Sequence, residues 1–365
     1  MMMTRHKTIT RVTRGEEKLR ILFVSEYFYP RAAGGEVWSF ELCTALAAKG
    51  HHVTVMTCRH DDAPAEENVL GMRVLRPVHT TQNERQRVAR KVAARRLFNH
   101  AKRYLLEHRH SIDVVHTMAY TMSPSVSRLC EQLRIPCMTS IHSYFGKSWE
   151  KISRIGAVLR ALERKAIRDD RSTIIHVPSR HMQELILHDT GKRTAIIHNW
   201  LPDKFPRPKR IPGLLFVGSL EPIKNPIACV AAAKQLNASL TIIGKGSLES
   251  ALRDAASREG VALNVLRNLP RKETLARIGG ADLVLVPSVE ESFSLVALEA
   301  VAQGTPVAGT PVGIMSELPG VVSWPPRRVP KRLSQRTQMR IRASYSKEHA
   351  VDRFEHAYLA VRNHR

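Results

Sequence analysis

Two carboxylates eight residues apart, Glu291 and Glu299, stand in the segment Pro287-Ser-Val-Glu-Glu-Ser-Phe-Ser-Leu-Val-Ala-Leu-Glu-Ala300. If both were helical they would lie about 12 Å apart along the axis and some 80° around it. A retaining glycosidase needs its two carboxyls only about 5 Å apart, so a hydrolytic pair is excluded on those terms. A loop position for Glu291 and a helical one for Glu299 fits better. The two acids could then grip the hydroxyl-bearing ends of one long ligand. Between them the amides of Phe293, Ser294 and Leu295 fall at a helix start, where an anion gains roughly 0.3–1 kcal/mol. Sugar, diphosphate and ribose match that order.

A second candidate is Tyr29-Pro-Arg-Ala-Ala-Gly-Gly35, between an expected strand and the helical pattern Val37–Lys49. Gly34 and Gly35 let backbone amides approach a phosphate closely, although a plain strand-to-helix turn uses the same pair. No Asp-x-Asp pair and no His or Cys cluster with ligand spacing occurs, so neither a cofactor nor a protein-bound metal is expected.

These residues need a scaffold. Short β-branched runs alternate with amphipathic stretches at Ile21–Ser25, Val53–Thr57, Val114–His116, Cys137–Ile141, Thr173–Pro178 and Thr194–His198. The alternation resumes at Leu214–Gly218, Leu240–Gly244, Asn264–Leu266, Leu283–Pro287 and Pro306–Ala308. Such a pattern predicts an α/β protein of two doubly wound, Rossmann-like parallel sheets, each buried on both faces. Asn199–Pro212 carries four prolines and can hold neither a helix nor a central strand. The expected division is 19–200, a linker at 201–212, 213–345, and a terminal helix at 346–365. Ligands of open parallel sheets bind beyond the strands' carboxyl ends, which places the site in a cleft between the two units.

A length of 365 residues agrees with two domains. The 57 Lys and Arg against 33 Asp and Glu give a formal charge of +24, a surface that attracts polyanions. From Glu84 to His110, nine Lys and Arg surround Val88, Ala89, Val92, Ala93, Leu97, Tyr104 and Leu105. This reads either as a basic helix on an anionic membrane surface or as a solvated helix packed on the sheet. Arg327–Arg342 is a polar basic stretch, a loop or a short helix, and a regular helix before the terminal one is hard to discern. The five scattered cysteines suggest core residues in a reducing compartment. No apolar run reaches bilayer length and the start lacks an apolar signal segment, so a cytoplasmic protein is expected, at most resting on a membrane.

The Glu291-x7-Glu299 frame followed by Gly-Thr-Pro-Val307 resembles the retaining GT-B glycosyltransferases of family 4. So do Pro30…Gly34-Gly35, Lys49-Gly-His-His-Val-Thr54, Asp113-Val-Val-His116 and Thr139-Ser-Ile-His142. In the second half Leu214-Leu-Phe-Val-Gly218…Lys224 and Ile243-Gly-Lys-Gly246 fall in the family's order. The resemblance implies two domains facing across a cleft and a nucleotide-sugar donor. It further implies that Glu299 holds the donor ribose and Glu291 the transferred sugar. Lys224 and Gly34-Gly35 would neutralise the diphosphate, with the amides of Ser294 and Leu295. His142 would lie near the reacting carbon. Ser219, Gly244, Gly246 and Phe293 belong to the same donor-binding set. Three positions depart from the family pattern: Ser219 stands where an arginine is usual, Ser294 where a glycine is, and Trp200 where a glycine commonly follows Asn199.

The expected reaction is sugar transfer to a hydroxyl, on a glycan or lipid-linked acceptor. An epimerase or a phosphorylase could share such a scaffold. A catalytically degenerate relative would follow from the departures, and a nucleic-acid-binding protein from the charge. With only 5% aromatic residues and no recognition motif, nucleic acid is the weaker partner.

Overall fold

The computed structural model describes residues 17–31, 34–60, 62–80, 87–118 and 121–362. The segment before Glu17, Ala32 and Ala33 of the glycine loop, Glu84–Gln86 of the basic stretch, and residues 363–365 lie outside the described residues, as do the side chains of Val88 and Ala89.

Two sheets organise the chain. The first contains β1 (Arg20–Val24), β2 (His52–His60), β3 (Glu66–Val69), β4 (Met72–Thr80), β5 (Val114–Thr117), β6 (Cys137–Ser140), β7 (Ile174–Val177) and β8 (Ala195–Ile196). Their spatial order is β3-β4-β2-β1-β5-β6-β7-β8, parallel except for the antiparallel β3–β4 pair. The second sheet contains β9 (Leu214–Val217), β10 (Leu240–Ile243), β11 (Leu263–Leu266), β12 (Leu283–Val286), β13 (Val307–Gly309) and β14 (Val321–Ser323). It runs β11-β10-β9-β12-β13-β14, parallel throughout. Two doubly wound α/β sheets are therefore present.

Helices of the first half are α1 (Gly34–Ala48), α2 (Arg87–His108), α3 (Ser123–Leu133), α4 (Ser148–Ile152), α5 (Gly156–Asp169) and α6 (Arg180–Thr190). Those of the second are α7 (Ala228–Gln235), α8 (Glu249–Glu259), α9 (Arg271–Gly280), α10 (Leu295–Ala302), α11 (Gln335–Ser344) and α12 (Lys347–Arg362). Helix α1 starts three residues before the apolar pattern does, so Gly34 and Gly35 form its first turn rather than a loop preceding it. The basic stretch is irregular up to Ser334 and then forms the short helix α11, so both expected forms occur there. Ser334 caps it by accepting from the Thr337 amide, and its single buried residue, Ile341, explains why periodicity missed it.

The strands are short and apolar because both faces are covered; Leu214, Leu215 and Phe216 of β9 and all of β12 are buried. Helix α2 packs on the first sheet through Ala93, Leu97, Ala101 and Leu105, four residues apart and buried with Met56, Cys58 and Val78. Val92, expected on that face, is instead 46% exposed, because it lies one position off the i, i+4 row. All five cysteines are free and buried. Among the described residues no helix is long and apolar enough to cross a membrane.

Helix α12 returns to the first half, burying Ala350, Val351, Phe354 and Tyr358 with Phe23, Trp38 and Leu42. Tyr358 ends a buried polar chain. Its hydroxyl is 2.6 Å from His116 Nδ1, His116 Nε2 is 2.7 Å from Ser140 Oγ, and Ser140 Oγ is 2.8 Å from His176 Nδ1. His176 Nε2 lies 2.8 Å from the Ile197 carbonyl, which only accepts. Each neighbour's role follows from that end, so every member of the chain is satisfied with both imidazoles neutral. Burial keeps both histidines below their ordinary range, His176 at about 4.

Candidate active site

Four segments, each following the carboxyl end of a strand, converge on one cavity of about 410 Å³. After β1 come Gly34, Gly35 and Trp38; after β6, His142, Ser143 and Phe145. After β9 come Gly218 and Lys224; after β12, Ser288 and the run from Glu290 to Val296. Both sheets thus contribute, at the ends where open α/β sheets bind ligands.

Direct bonds hold the two halves together beside this cavity. Ser179 Oγ donates to the Ser292 carbonyl at 2.6 Å. Glu290, 5% exposed, accepts from Ser148 Oγ at 3.2 Å and lies 2.5 Å from His181 Nε2. Glu317 accepts from the Arg180 amide at 3.0 Å and lies 3.0 Å from His198 Nε2.

Lys224 Nζ is 2.6 Å from Glu291 Oε1, and Ser288 Oγ donates to the same oxygen at 2.8 Å. A cation and a carboxylate therefore face the cavity side by side. Ser294 opens α10 with φ 78° and ψ 78°, so a side chain occupies a backbone region that favours glycine. Gly313, at φ +60°, braces the loop from behind: a Cβ there would lie 2.5 Å from the Phe293 carbonyl, which accepts from the Ile314 amide at 2.7 Å.

Gly34 is open on its outer side, since an added Cβ would meet nothing within 4 Å, and at Gly35 the nearest atom is Met118 Cε at 3.6 Å. Packing requires neither glycine, and the space in front of them is the cavity.

His142 shows its ring to the same space. Its Nε2 is shut off from solvent with no hydrogen-bond partner among the described residues, and so is Asn199 Oδ1 on the same wall. Burial, and then the neighbouring His176 and His116, push the His142 imidazole well below the ordinary range. It is neutral at pH 7, able to donate or accept a single hydrogen bond.

Of the residues singled out from sequence, Gly34, Gly35, His142, Lys224, Glu291, Phe293, Ser294 and Leu295 meet at this cavity. Four do not line it. Ser219 is exposed nearby. Gly244 and Gly246 are demanded by packing, because a Cβ on them would lie 1.9 Å from the Gly218 carbonyl and 2.5 Å from that of Leu220. Glu299 is fully buried and both its oxygens are bonded by the Arg271 guanidinium, one at 3.0 Å. Burial pushes its carboxyl up, against the pull of Arg271.

Sequence reasoning missed Ser288, Glu290, Asn199 and Arg271. Glu290 could have been noticed as a second acid beside Glu291 in a strand-to-helix loop; its partners across the cleft are more than a hundred residues away and leave no local signal. Among the described residues no three His, Cys, Asp or Glu side chains gather as metal ligands.

Comparison with known proteins agrees with this architecture. Residues 32–204 match the model of Glycosyltransferase Family 4 and residues 201–319 that of Glycosyl transferases group 1. The chain is 30% identical to the glycogen synthase of Mycobacterium tuberculosis over 331 residues, 82% of this chain and 80% of that one. Among solved structures it resembles the sucrose-phosphate synthase of Thermosynechococcus elongatus, with a TM-score of 0.72 at 18% identity, covering 94% of this chain and 99% of that one. It also resembles HepE of Anabaena in complex with UDP, with a TM-score of 0.66 at 13% identity over 94% and 100% of the chains. The chain belongs to the family 4, group 1 glycosyltransferases and has the GT-B fold.

Proposed function

We propose that this glycosyltransferase takes a sugar from a nucleoside-diphosphate sugar held in the 410 Å³ cavity and passes it, with retention of anomeric configuration, to an acceptor hydroxyl. One observation carries the reading: Gly34-Gly35 and His142 from one half share a single cavity with Lys224, Glu291 and the start of α10 from the other. The bond from the anomeric carbon to the diphosphate breaks, a bond to the acceptor oxygen forms on the same face, and the hydroxyl proton leaves with the nucleoside diphosphate. Lys224, the first turn of α1 and the amides of Ser294 and Leu295 stabilise the departing negative charge without reorganising. Glu291 holds the sugar's hydroxyls, and neutral His142 bonds the sugar near the reacting carbon. Glu299 takes the ribose when Arg271 yields one of its bonds. The UDP held by HepE supports the donor class.

The acceptor side is a glycan or a lipid-linked glycan, delivered in part by the cationic face of α2, where Lys91, Arg95, Arg96, Lys102 and Arg103 are exposed and complement an anionic membrane surface. No cofactor or resident metal enters this scheme. One test is the anomeric configuration of the product by proton NMR early in turnover. A product of the donor's configuration, lost together with transfer in Glu291→Gln, is expected; an inverted product contradicts the proposal.

A further inference from the structure

A second cavity of about 200 Å³ lies in the first half and adjoins the first at His142 and Ser143, which line both spaces. It opens beyond the carboxyl ends of β1, β5 and β6. The volume exceeds the roughly 150 Å³ that accommodates one benzene ring, so it admits a single six-membered ring. Its position, sharing a wall with the donor cavity, suits a second substrate that has to meet the transferred sugar.

The charge of its wall is opposite to that of the molecule. The chain carries 57 Lys and Arg, yet no Lys or Arg is among the described residues lining this cavity, while Glu26 and Asp170 are. Both acids are buried, at 8% and 2% exposure. Asp170 is fixed by bonds from Thr139 Oγ1 at 2.9 Å and the Ser172 amide at 2.8 Å. Thr121 and Ser140 add hydroxyls, and Tyr27 and Ile167 add apolar faces. A phosphate here would meet carboxyl groups with no Lys or Arg among the described lining residues to pair it, whereas buried carboxylates suit hydroxyl donors. Burial keeps His142 neutral, so it supplies no compensating charge.

We propose that this cavity binds the acceptor and selects an uncharged, hydroxyl-bearing ring, a sugar or cyclic polyol, against its phosphorylated counterpart. Anionic parts of a larger acceptor stay outside, on the basic surface. The inference rests on the donor reading of the larger cavity.

The test is nucleoside diphosphate release by the full-length protein, using the donor found to stabilise it. Glucose and myo-inositol are compared with glucose 6-phosphate and myo-inositol 1-phosphate. The neutral compounds should show kcat/KM at least about tenfold higher, and Thr121→Arg, a change at an exposed position on the wall, should narrow that ratio at least about tenfold while leaving donor-induced stabilisation intact. Equal or better use of the phosphorylated compounds, or donor turnover with neither neutral one accepted, overturns the proposal. Absence of donor-induced stabilisation would instead sink the donor reading.

Discussion

Glu299, fully buried at the centre of α10, is held by two bonds from Arg271 at the start of α9, whose own side chain remains 55% exposed. The pair joins two helices and leaves the carboxylate no other described partner for its oxygens. Removing only the cation strands a buried charge, a change that costs about 3–5 kcal/mol in well-buried pairs. Arg271→Ala should lie at the lower end, about 3 kcal/mol by chemical denaturation, because water reaches the vacated guanidinium site. Arg271→Met combined with Glu299→Gln should recover most of that loss, since neither partner is then left charged and alone.

Gly34 and Gly35 separate folding from binding. With nothing within 4 Å of a Cβ at Gly34 and only Met118 at 3.6 Å from one at Gly35, alanine at either position should change stability by no more than about 1 kcal/mol, in the stabilising direction, as helix propensity dictates. The added methyls point into the cavity, where the proposed function brings the diphosphate close. Calorimetric titration should show nucleotide affinity reduced about tenfold, roughly 1.4 kcal/mol.

Ser294 carries backbone strain at φ 78°. Relief of a left-handed side chain is worth roughly 1–2 kcal/mol, and the extra freedom of glycine in the unfolded chain takes back about 0.5–1. Ser294→Gly should therefore raise stability by about 0.5–1 kcal/mol. Denaturant midpoints with unchanged slopes would measure it.

Glu163 on α5 accepts from the amides of Phe145 and Gly146 and thereby holds the loop that brings Phe145 to the donor cavity. Burial, outweighing those bonds, pushes its carboxyl up to about 7 from 4.5. The folded state keeps a proton that the unfolded chain releases, so this group's contribution falls as pH rises from 4.5 to about 7 and is level above. The size is about 3 kcal/mol. The buried histidines titrate with the opposite sign but are common to wild type and Glu163→Gln. The stability difference between the two proteins, followed from pH 4.5 to 8, isolates the effect: the wild type should lose ground to the variant by about that amount across the window.

The fold was legible where burial on both faces leaves an uninterrupted apolar run, as in Leu214–Val217 and Leu283–Val286. It was illegible at β3, whose residues Glu66, Glu67, Asn68 and Val69 sit at a half-exposed edge, and at the tight turn Leu70-Gly71, where both residues have positive φ although leucine gives no such signal. The candidate site was legible where a strand-to-helix connection or the helix's first turn puts chemistry-bearing residues close in sequence, as with Glu291 and with Gly34 and Gly35. Arg271, 28 residues from Glu299, and His181, 109 from Glu290, act through packing that no local spacing encodes.

The donor cavity is the centre of the account, and a thermal shift of the full-length chain with a panel of nucleoside diphosphates and their sugars tests it most directly. A ligand at one hundred times its Kd adds about 2.7 kcal/mol. One nucleotide series should raise Tm by several degrees, with the rise largely lost in Lys224→Ala. No rise with any member at millimolar concentration, or an equal rise in the variant, would contradict the assignment of the cavity.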